Sequence, residues 1–330
     1  MFIPQAYGLA LAMMILTMFC WGSWANTQKA VGTWRFELFY WDYVGGILLC
    51  SILIGLTFGR TDPASPDSFF HNLAQAGTTN LVLAFVGGAV FNLANLLLVA
   101  AIALAGLAVA FPIGIGLALV IGSILNYVIT PKGNPLLLFG GVALVAVAIV
   151  FDALAYRKLS SDRGVSSKGI LLSLLCGVFM GSFYPLVAKA ITGPNHLGPY
   201  TVAVVFAVGV LVSNIPLNYA FMRRPVSGEP VNMSEYFQGR GLWHFFGVLG
   251  GIIWGIGTIS NFVSSYAQMV GPAASYSLGQ GATMVSAIWG VFVWKEFRGA
   301  GPDTIRLLVL MFLFFIAGLA SVALAPVVGG

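Results

Sequence analysis

The chain has 330 residues, of which 59% are hydrophobic and only 8% charged, with a net charge of +5. A water-soluble domain carries about 25% charged residues because its surface faces water, so this composition excludes an ordinary soluble globule. The mean hydropathy of +0.94 points to lipid as the solvent for much of the chain.

Ten apolar runs are long enough to span a bilayer: 7–28, 39–59, 80–103, 106–130, 135–155, 168–190, 199–221, 242–269, 272–294 and 305–326. Met1 to Gly8 holds no Lys or Arg, so the first run is read as a retained span, not a signal peptide. Gly106 and Gly271 mark joints of almost no length, which predicts two helix hairpins. Longer polar loops fall at 60–79, 156–167 and 222–241.

With loops assigned alternately to two sides, one side holds Lys29, Arg35, Arg157, Lys158, Arg163, Lys168, Arg223, Arg224, Arg240, Lys295, Arg298 and Arg306. The other holds Arg60 and Lys132, while Lys189 lies in a span end. Lys and Arg accumulate on the cytoplasmic side. The bias therefore reads as topology, not nucleic-acid binding, and predicts extracytoplasmic termini. Cys20, Cys50 and Cys176 all lie inside apolar runs and read as buried apolar residues. The chain shows no HExxH, no clustered metal ligands and no phosphate loop, so neither an enzyme nor a nucleotide-driven pump is expected, and no cofactor.

The stretch from Gly106 through Gly114 and Gly116 aligns without gaps on Gly271 through Gly279 and Gly281. Gly87-Gly88 matches Gly250-Gly251, and Gly22-Ser23-Trp24 matches Gly181-Ser182-Phe183. The common order predicts two five-helix repeats, residues 1–155 and 168–330, joined by a cytoplasmic loop at 156–167. Five is odd, so the second half is inverted. The expected fold is an all-α membrane protein of ten transmembrane helices in two inverted repeats. That arrangement is widespread in secondary transporters.

Three segments carry a family resemblance. Cys20-Trp21-Gly22-Ser23-Trp24 in the first span and Tyr40-Trp41-Asp42-Tyr43 in the second resemble the plant ureide permeases and their bacterial relatives. The ninth run, from Val285 through Trp289 and Gly290 to Lys295-Glu296-Phe297, is similar to the same group and to glucose and rhamnose uptake transporters. Ten spans in a five-plus-five arrangement resemble the drug/metabolite transporter superfamily. The resemblance implies proton-coupled uptake of sugars or nitrogen-rich heterocycles across the cytoplasmic membrane. The long central loop of the plant proteins is missing here.

Polar side chains at membrane depth usually face a cavity or a neighbouring helix. In the eighth run Trp254, Thr258, Asn261, Ser265 and Gln268 recur at helical spacing on one face. The first run offers Trp21, Trp24 and Gln28, the third Asn92 and Asn95, the sixth Tyr184 and the ninth Gln280. Tryptophan faces and amides suit an uncharged polar solute, whether sugar or ureide. Asp42 opens the second span and is the candidate proton-sensing carboxylate, with Lys29 as its expected partner. Asp152 reads as a helix-end charge in loose contact with Arg157. Carrier is thus the first functional reading, for uptake or export, with a membrane receptor or scaffold as the non-transport alternative.

Overall fold

The computed structural model describes residues 1–32, 34–65, 68–159 and 166–328. Arg163, most of the connecting loop and the C-terminal Gly330 lie outside the described residues. The first half contains α1 (Tyr7–Ser23), α2 (Ala25–Ala30), α3 (Phe36–Thr57), the short α4 (Phe69–Gln75), α5 (Thr78–Ala105), α6 (Leu107–Ile129) and α7 (Pro135–Leu159). The second contains α8 (Ser167–Ala190), α9 (Pro199–Arg223), the short α10 (Met233–Phe237), α11 (Gly241–Tyr266), α12 (Pro272–Gly279), α13 (Ala282–Ile288) and α14 (Pro302–Val328). No strand occurs among the described residues.

Nine helices among the described residues are long and apolar enough to cross a membrane. They match nine of the ten predicted runs. The remaining run, 272–294, is divided into α12, α13 and a π-turn over Trp289–Val293. The physical cause is local. Gln280 and Gly281 interrupt the helix, and near the far end the Trp294 amide reaches back five residues to the Trp289 carbonyl. Large apolar side chains such as Val128, Leu136 and Ile316 are left bare on the outside. That pattern suits lipid and not water.

Glycine governs how closely the helices approach. A Cβ on Gly46 of α3 would overlap the Val248 carbonyl of α11, and one on Gly251 would overlap the Tyr43 carbonyl. In the other crossing, a Cβ on Gly88 of α5 would overlap the Phe206 carbonyl of α9, and one on Gly209 the Phe85 carbonyl. One constant shift in residue number carries Tyr43, Gly46, Phe85 and Gly88 onto Phe206, Gly209, Val248 and Gly251. α7 and α14 also cross reciprocally, Gly141 against the Gly318 carbonyl and Gly318 against the Gly141 carbonyl. The two hairpin joints share a backbone conformation as well. Gly106 has φ 75 and ψ 163, and Gly271 has φ 81 and ψ 163. That is a region where a side chain would be strained.

The apolar core forms two clusters. One is built on α3, α5, α8, α9 and α11, the other on α1, α6, α7, α12, α13 and α14. The three cysteines are buried and free.

Candidate functional site

A cavity of about 390 Å³ lies where the two clusters meet. This falls within the usual range of about 300–1,000 Å³ for small-molecule sites. Its floor comes from α1, α5 and α11. Gly257 has no side chain, so α1 seats Cys20 and Trp21 directly against α11. Trp21 then donates through Nε1 to Thr258 Oγ1 at 3.0 Å. Its ring stacks on Trp254 with centroids 6.0 Å apart at 15°. Trp254 stacks in turn on Phe91, at 4.4 Å and 28°. These flat faces are fixed by packing before any solute arrives.

Amides stand around the aromatic floor. Asn95 donates to the Tyr40 hydroxyl at 3.0 Å, and Tyr40 donates to Asn92 Oδ1 at 2.9 Å. That chain takes one hydrogen of the Asn95 amine and fixes the side chain in the cavity wall. The interruption between α12 and α13 puts Gln280 into the cavity wall. Broken helices at membrane depth are tolerated where they line such a space.

One end of the cavity carries the charges. Lys29 Nζ lies 2.6 Å from Glu296 Oε1, and the Tyr156 hydroxyl donates to Glu296 Oε2 at 2.6 Å. Burial pushes the Glu296 carboxyl up, but the bonds from Lys29 and Tyr156 outweigh it and hold the group below its ordinary 4.5. Lys29 also sits 4.2 Å over the Trp294 ring. Trp289 donates to Ser23 and Trp294 to Asn26, so the end of the broken helix is tied to α1 and α2. Asp152 of α7 lines the same end, buried, with one carboxylate oxygen unpartnered.

The opposite end is sewn shut. Tyr184 on α8 donates to Asn261 Oδ1 on α11. Asn261 donates to the Ser275 carbonyl at 2.9 Å, and Ser275 Oγ donates back to the Asn261 carbonyl at 2.9 Å. Tyr276 reaches the Ala118 carbonyl at 3.0 Å, which ties α12 to α6.

The structure therefore sorts the sequence candidates into two groups. Trp21, Trp24, Gln28, Lys29, Asn95, Trp254 and Gln280 come together in the cavity lining. Asn92, Thr258, Tyr184, Asn261, Ser265 and Gln268 lie outside that lining. Asn92 and Thr258 support the residues that line it, and Tyr184 and Asn261 belong to the closed end. Gln268 lies just past the end of α11, where its carbonyl accepts from Lys132. The eighth-run face was read as one continuous path, but tight packing of α11 against α1 and α12 covers its lower half.

Asp42 and Lys29 are not brought together. Asp42 accepts from the Tyr236 hydroxyl at 2.6 Å, and His244 Nδ1 lies 2.8 Å from its other oxygen. The reason is α10, whose capping box of Asn232 and Glu235 folds the 222–241 loop over the start of α3. Burial, then the bond to Asp42, pushes the Tyr236 phenol well above its ordinary value. Asp152 is also placed differently from the sequence reading: it is buried in the cavity wall. The sequence reading did not place Asp152, Tyr156 and Glu296 in the cavity wall. The usable signal was the five-residue gap between Asp152 and Arg157, which leaves the carboxylate without a good helical partner.

Comparison with known proteins agrees with this architecture. A crystal structure of a protein superposes with a TM-score of 0.64 at 16% identity, covering 94% of this chain and 95% of that one, and shows a shared fold. Ureide permease 1 of Arabidopsis thaliana is 26% identical over 97% of this chain and 97% of its own length. The L-rhamnose-proton symporter of Pectobacterium atrosepticum is 24% identical over 74% of this chain and 78% of its own. The putative ribose uptake protein RbsU of Latilactobacillus sakei subsp. sakei is 21% identical over 81% of this chain and 87% of its own. The ureide permease family model matches residues 39–168 and 165–325. With that match over most of its length, and a solute-sized cavity inside a bundle of membrane helices, the chain belongs to the ureide permease family of multi-pass membrane transporters.

Proposed function

We propose that the protein is a secondary active transporter that carries a small uncharged polar solute, a sugar or a ureide or nucleobase-like compound, into the cell with a proton. The observation that carries this reading is the cavity itself. Stacked indoles match the flat faces of such solutes, and the amides of Asn95, Gln28 and Gln280 match their donors and acceptors. A ribose uptake protein and a rhamnose-proton symporter among the relatives support the solute class and the coupling.

Ten spans in two inverted halves, 1–155 and 168–330, fit alternating access. Support comes from the constant shift relating the two glycine crossings and from the matching joints at Gly106 and Gly271. In this scheme α12, α13 and the π-turn together form the ninth span. The end bearing Lys29, Arg35, Lys158 and Arg223 is cytoplasmic by the positive-inside rule. The cavity is then open inward and the termini are extracytoplasmic. A reporter active only in the cytoplasm, fused to the C-terminus, is expected to be silent; activity there reverses the orientation.

The transport reading is tested in proteoliposomes with labelled L-rhamnose, ribose and a panel of ureides. Uptake of one class above protein-free vesicles, increased by an inward proton gradient, is the expected result. A gradient-driven loss of internal solute would make the protein an exporter. No flux of any class, with folded protein present, would return it to a receptor or scaffold.

A further inference from the structure

The mechanism above leaves one group without a role. Asp152 is 8% exposed and lines the cavity, and its Oδ1 has no hydrogen-bond partner. A buried carboxylate kept only for structure would be paired, because an unpaired buried charge is costly. Its neighbour in the same wall, Glu296, is held by Lys29 and the Tyr156 hydroxyl. Tyr156 lies one turn from Asp152 on α7, so the two carboxyls and the phenol share one corner of the wall.

The charges facing this corner can be enumerated. Glu296 comes from the segment after α13, Tyr156 from α7 itself, and Lys29 from the end of α2. α6 carries no charged residue, and α14 presents Asp303 to Lys158 at 3.3 Å and to Arg306 at 3.8 Å. Among the described residues Lys29 pairs with Glu296, and no ion pair to Asp152 is formed. Two neighbouring carboxyls of which only one is ion-paired favour holding a single proton. The clamped Glu296 is the poor site for it, and the unpartnered oxygen of Asp152 is the good one.

We propose that Asp152 is the residue that takes up and releases the coupling proton. The carboxylate gains H⁺ from water on one side of the membrane and returns it to water on the other. Glu296 stays ionised against Lys29 throughout. This rests on the transporter reading for its purpose, but the protonation itself can be tested without any solute.

The probe is the proton alone. Infrared difference spectra of the purified protein in lipid, taken between about pH 9 and about pH 4, would show the C=O stretch of each carboxyl that becomes protonated. Asp152→Asn should remove one such band, Asp152→Glu should shift its frequency, and Asp42→Asn should leave it unchanged. Should Asp152→Asn fail to fold, the shift in Asp152→Glu decides. A spectrum that is the same in wild type and both Asp152 variants overturns the assignment. In proteoliposomes, accumulation driven by a proton gradient should be lost in Asp152→Asn and persist in Asp42→Asn. The reverse result moves the coupling to Asp42 and overturns the proposal. If wild-type uptake proves indifferent to the gradient, the transport reading is at fault and the infrared result still decides whether Asp152 titrates.

Discussion

Gly46→Ala is expected to destabilise the folded protein by about 1–3 kcal/mol, the usual cost of overpacking. Gly45→Ala, one residue away, should leave stability unchanged or raise it by up to about 1 kcal/mol, the helix-propensity gain. The two substitutions are chemically identical and sit in the same helix. A methyl on Gly45 meets nothing within contact distance, whereas one on Gly46 overlaps the Val248 carbonyl of α11. Backbone cannot move aside as a flexible side chain would, so α3 and α11 must separate. Gly209→Ala should reproduce the Gly46 effect against the Phe85 carbonyl. The assay follows from the cysteines: Cys20, Cys50 and Cys176 are buried and free, so a thiol-reactive dye reports unfolding on heating. Equal melting of the Gly45 and Gly46 variants would mean that the close crossing is not formed.

The second large effect concerns Trp254. Its ring touches Trp21, Phe91, Phe206 and Tyr43 and is almost wholly buried. Trp254→Ala removes the centre of the cavity floor, and a change of this type typically costs about 3–5 kcal/mol. Trp254→Phe keeps an aromatic face and should retain most of that stability. Binding should separate the two further. A solute that stabilises the wild type in a thermal shift should stabilise the Phe variant less and the Ala variant not at all. An Ala variant that binds as tightly as wild type would place the solute elsewhere.

Much of the fold was legible in the sequence because a bilayer imposes a length and an apolar composition on each span. Gly106 and Gly271 were readable as joints because only a few residues separate the apolar runs there. The division of the ninth run was less readable. Gln280 between two glycines is a weak signal until packing shows which backbone bonds give way. For the site, the aromatic and amide residues were found by helical spacing, which gives a face but not what covers it. Asn261 and Tyr184 share that spacing yet end up bonded to each other in the closed end. Charge partners were the least readable. Lys29 meets a residue from the far end of the chain, and Asp42 meets a tyrosine and a histidine carried there by a short loop helix. Sequence distance carries no information about such pairs.

The interruption at Gln280 and Gly281 has a thermodynamic consequence. In the gapless alignment of the two halves these positions correspond to Ile115 and Gly116, which lie inside the unbroken α6. Ile115 and Gln280 both line the present cavity, one as an alkyl side chain and the other as an amide at a helix break. The two halves therefore contribute unequally to the wall, because a side-chain amide and an alkyl group offer different contacts. If inward and outward forms expose these groups differently, the ratio of their affinities is the factor by which bound solute shifts the balance between them. A break in only one half would then make the response to solute differ between the two forms.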